Sequence, residues 1–69
     1  MATIKTLTIA PDRQHLGPGV VVMLEVRTST GRYEFPFRFE DQGSPSAGEQ
    51  QARRELETFL QEALRELHS

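Results

Sequence analysis

The chain has no cysteine and no tryptophan, a single lysine and two histidines, and each shortage closes a route to function. Without cysteine there is no disulfide to brace a small fold and no thiolate for a structural zinc site. With Lys5 as the one lysine, the Gly17-Pro18-Gly19 turn lacks both the lysine and the helix entry that a phosphate loop requires. Neither sign of charge dominates. Eight basic and ten acidic residues interleave along the length for a formal charge of -2, which argues against a polyanion-binding surface built on bulk charge. No apolar run approaches the roughly 18 residues of a membrane span, and the N-terminus lacks the basic-then-apolar plan of a secretory signal. The expected location is therefore cytoplasmic. Internal repeats, low-complexity tracts and sustained heptads are absent as well.

What is present reads as one small domain covering residues 1–69. A domain of this size buries only about 60% of the surface its unfolded chain exposes. With disulfides and zinc removed, self-association is the remaining way to reinforce so small a core.

The strongest pattern is the alternation Tyr33, Phe35, Phe37, Phe39, with Glu34, Pro36, Arg38 and Glu40 between. Such alternation predicts a strand over residues 33–40 with an aromatic face. A second strand, residues 20–28, sets Val20, Val22, Leu24 and Val26 on one face and Val21, Met23, Glu25 and Arg27 on the other. Residues 3–9 are rich in β-branched side chains and predict a first strand, although strict alternation puts Leu7 and Ile9 opposite Ile4. Both apolar faces of the hairpin must lie on one side of the sheet. Pairing Thr28 with Tyr33, Val26 with Phe35, Leu24 with Phe37 and Val22 with Phe39 satisfies this, with Arg27 opposite Glu34. Pro36 has no N–H to offer a neighbouring strand, so we expect a four-residue loop over residues 29–32 and a third strand at the sheet edge.

From Ala52 onward Leu56, Phe59, Leu60, Ala63, Leu64 and Leu67 recur at helical spacing over an arc of about 140°. Two starts compete: a capping box of Ser46 with Glu49, and Ser44 followed by Pro45 at the first helical position. The predicted fold is α+β, a three-stranded antiparallel meander (β-β-β-α) with one C-terminal amphipathic helix packed on one face of the sheet.

Chemistry-bearing constellations are scarce. Asp12 and His15 share the loop of residues 10–19 but have no third or fourth ligand, and His68 stands in the tail. No serine has a nucleophile-elbow context. We expect no catalytic residue, cofactor, metal or small-molecule substrate, and no membrane partner. The aromatic stripe resembles the stacking platforms of single-strand binders, but the helix needs that face as its own cover. The expected function is that of a non-catalytic protein-interaction module, a homodimer or a binder of another protein. Its interaction residues would be Ile4, Val21 and Met23 on the outer sheet face, with Phe59 and Leu64 at the helix margins. The alternative is a nucleic-acid accessory protein using Arg27, Arg32 and Arg38, or Arg53 and Arg54, the latter two set against the helix dipole.

Overall fold

The computed structural model describes residues 1–13 and 17–69. Three strands, β1 (Thr3–Pro11), β2 (Gly19–Thr28) and β3 (Gly31–Glu40), precede one helix, α1 (Pro45–Leu67). The strands form one antiparallel sheet in the order β1-β2-β3, so the meander is as the sequence predicts, with β3 at an edge. The helix contacts all three strands.

The β2–β3 register differs from expectation by two residues. Thr28 pairs with Gly31, which leaves a two-residue loop, Ser29-Thr30, and sets Val26 against Tyr33, Leu24 against Phe35, Val22 against Phe37 and Val20 against Phe39. The faces stay matched, because a two-residue slip preserves the side-chain alternation. Pro36 falls opposite Met23. Counting from the closing Thr28–Gly31 pair, that is a non-hydrogen-bonded position, so the constraint invoked for the longer loop is met by the shorter one. The two-residue loop that the expected pairing allows, Thr30-Gly31, would set Pro36 opposite Glu25 at a hydrogen-bonded position, whereas a Ser29-Thr30 loop avoids this by shifting the pairing two residues. Here the hydroxyl of Thr28 holds the loop, accepting from the Thr30 backbone N–H at 3.2 Å and lying 2.9 Å from the Thr30 hydroxyl.

In β1 the pairing with β2 shifts by one between Thr6 and Thr8. Leu7 is the extra residue of a β-bulge, and it resolves the conflict of phase in the sequence. Ile4 and Thr6 pair with Val26 and Leu24, while Ile9 and Pro11 pair with Val22 and Val20, so both halves of β1 turn their even and odd positions, respectively, to the same face. Four cross-strand rows result under the helix: Ile4–Val26–Tyr33, Thr6–Leu24–Phe35, Ile9–Val22–Phe37 and Pro11–Val20–Phe39.

Of the two possible helix starts, Ser44 is the one used. Its hydroxyl accepts from the Ala47 N–H at 3.1 Å, with Pro45 opening the first turn, where the missing proline N–H costs nothing. Gly43, at φ +96°, makes the turn into the helix. The first turns lie closest to the sheet because Gly48 and Ala52 are small; a Cβ added at Gly48 would sit 4.0 Å from a Val22 methyl. Val22, Leu24, Ala52 and Leu56 form the buried core, with Val20, Val26, Phe35, Phe37 and Phe39 packed around it. Further along, Phe59 meets Phe35 at 5.4 Å between ring centroids, and the apolar residues of the last turns, Leu64 and Leu67, are exposed. The radius of gyration is 13.1 Å, against about 11 Å for a compact chain of this length.

Candidate protein-interaction surface

The side of α1 that faces β1 is uncovered. Ile4 from the strand and Leu56, Leu60 and Leu64 from the helix line a groove of about 360 Å³, with Arg53 and Glu57 on its rim. Leucines four residues apart stack along one side of a helix, and β1 is too narrow a margin to hide them. Leu60 is 49% exposed, Leu64 58% and Ile4 41%. Phe59 and Tyr33 are exposed on the opposite flank, and Leu67 in the last turn is almost wholly exposed.

Ile4 was expected on the outer face with Val21 and Met23. The bulge places it instead on the helix-bearing face, in a row with Val26 and Tyr33. Of the five candidate interaction residues, the structure brings Ile4 and Leu64 into one groove, puts Phe59 on the β3 flank against Phe35, and leaves Val21 and Met23 half-buried on the other side of the sheet. Leu60 is the residue sequence reasoning missed. It belongs to the apolar arc, which says that a side chain is on the inner face but not whether the sheet extends beneath it.

The outer face is polar at its centre. Glu25 is 4% exposed and accepts from Arg27 Nε at 2.9 Å and from Arg32 Nε; Arg32 also reaches Glu34 at 2.6 Å. The hydrogen bond from Arg32 holds the Glu25 carboxyl below its ordinary range, overcoming the opposing effect of desolvation, with the nearby charge of Arg27 adding to the shift. Arg32 is correspondingly raised by its bond to Glu25. Asp12, read from sequence as part of a polar surface loop, is 8% exposed and accepts from Arg38 Nη1 at 2.8 Å. Its loop companion His15 lies outside the described residues.

Three of the five candidate nucleic-acid arginines, Arg27, Arg32 and Arg38, are thus engaged by carboxylates. Arg53 stands on the groove rim, and Arg54 is exposed near the middle of the helix. A smaller hollow of about 260 Å³ opens beside the helix start, between Ile9, Pro11 and Val20 and the Asp41–Pro45 connection; Asp41 there accepts from the Gly43 N–H at 2.9 Å. Among the described residues no group of three or more histidine or acidic side chains is placed to hold a metal ion, and no helix is long and apolar enough to cross a membrane. Compared with protein-family models, curated proteins and solved structures, the chain matches none of them.

Proposed function

We propose that the protein is a non-catalytic, cytoplasmic protein-interaction module that works as a homodimer. One observation carries the reading. The chain presents 5362 Å² of accessible surface, whereas a folded monomer of 7.8 kDa is expected to present about 4,400 Å². The excess, on the order of 1,000 Å², is of the size that each partner buries in a standard interface, about 800 Å². The small buried core supports the same reading, since a chain this short without a disulfide gains stability by association. Engagement of Arg27, Arg32 and Arg38 by Glu25, Glu34 and Asp12 counts against the nucleic-acid alternative, because phosphates would have to displace carboxylates already in place.

The test is the mass in solution by light scattering over a dilution series, where the expected result is a dimer dissociating at low concentration. A single-chain mass throughout would end the homodimer reading. Retardation of single- or double-stranded probes at low salt, weakening as salt rises, would favour the arginine-based alternative.

A further inference from the structure

We propose that the groove between β1 and α1 is the dimer seam, and that its occupant is a second copy of the chain, with Leu60 and Leu64 of each protomer filling the groove of the other over Ile4. This rests on the homodimer reading and adds to it the surface and the residues. A two-fold contact must be self-complementary, and the groove suits one: Leu60 and Leu64 are about half exposed along its wall, and its lining carries one charge of each sign, Arg53 and Glu57, so that the face has no net charge to repel a second copy. The side of the molecule involved is the β1 edge, where Thr3, Ile4, Thr8 and Ile9 are exposed and uncharged and Lys5 is the one charged residue of the strand.

The outer sheet face is the rival seam, and electrostatics decides between them. Its apolar residues Val21 and Met23 are already half-covered, and a partner seated there would have to desolvate the Glu25–Arg27–Arg32–Glu34 group and the Asp12–Arg38 pair. Desolvating paired charges offsets much of what the apolar contact contributes. The groove buries larger and more exposed side chains and requires only rim charges to remain wet. A copy of the chain, rather than an unrelated protein, is the fitting occupant because every folded molecule carries the same surplus surface, and a copy is present wherever the chain is.

The experiment is sedimentation equilibrium on the wild type, on the double variant Leu60→Ala with Leu64→Ala, and on Met23→Gln as the outer-face contrast. Alanine is the best helix former and both leucines are about half exposed, so the double variant keeps α1; circular dichroism checks this. The expected result is a wild-type dimer whose dissociation constant rises at least about a hundredfold in the double variant and stays within about twofold in Met23→Gln. A dissociation constant unmoved by the leucine changes, or moved equally by both variants, overturns the groove as the seam while the homodimer stands. A wild type that is a single chain at every concentration overturns both.

Discussion

Glu25 on β2 stands directly opposite Glu34 on β3, yet its carboxylate accepts from Arg32, the residue two places along that strand. Like charges facing each other across a ladder destabilise it. The arrangement persists because Arg32 lies between the two acids and bonds both, while Arg27 completes the coordination of Glu25. A carboxylate this enclosed is tolerated only while it is paired.

The pairing gives stability a pH dependence of known sign. The carboxyl of Glu25 titrates below its ordinary value of 4.5 in the folded chain, so its ionised form contributes stability that is complete above that value, declines as pH falls below it, and is gone once pH has passed under the folded value. Glu25→Gln should therefore lower the urea midpoint at pH 7, and the gap to wild type should narrow on acidification through that window. A gap of constant size from pH 7 to pH 3 would mean that the charge of Glu25 contributes nothing.

Gly48 offers a stabilising change. It lies within the helix, and a methyl there would meet Val22 at ordinary contact distance, 4.0 Å. Gly48→Ala should raise stability by about 1 kcal/mol through helix propensity, whereas Gly48→Leu should cost roughly 1–3 kcal/mol by forcing α1 off the sheet. Thermal denaturation of the pair checks the opposite signs; destabilisation by alanine would show the approach to be tighter than contact.

Leu56 is the core residue whose loss the fold can least absorb. At 2% exposure beside Val22 and Leu24, truncation to alanine should cost about 2–5 kcal/mol, against a total of roughly 3–10 kcal/mol for a chain of this length. Leu56→Ala should be largely unfolded or strongly sensitised to denaturant. Native-like resistance would place the core elsewhere.

The bulge makes a prediction about chain length. Removing Leu7 would let Thr6 and Thr8 follow one another opposite Leu24 and Met23 without changing which face Ile4 or Ile9 occupies. A chain lacking Leu7 should therefore keep its fold, whereas one lacking Val22, with no bulge to compensate, should not. Amide spectra of the two deletions separate them, and loss of dispersion in the first would contradict the assigned register.

How far these features could be read in the residues depends on how local their cause is. The alternation of Tyr33 to Phe39 and the leucine spacing from Leu56 to Leu67 state the elements and their faces outright, because period and face are properties of neighbouring residues. Loop length in the hairpin was not legible, since Pro36 permits two registers two residues apart and the choice was made by a hydroxyl network at Thr28 and Thr30. The position of Ile4 was hidden for a related reason. A bulge leaves no composition signal of its own, and only the mismatch between Ile4 and Ile9 marks it. Exposure of Leu60 and Leu64 was the least legible, because it depends on how far the sheet extends under the helix, which neither segment encodes alone.

The bulge at Leu7 also separates β1 into two independently phased halves. Thr3 to Thr6 carry the residue that lines the groove, and Thr8 to Pro11 carry those beside the helix start. A slip in one half need not propagate into the other. The surface over Ile4 can therefore drift in sequence, and with it the fit to a neighbouring molecule, while the end of the sheet that seats Gly48 and Ala52 keeps its alignment.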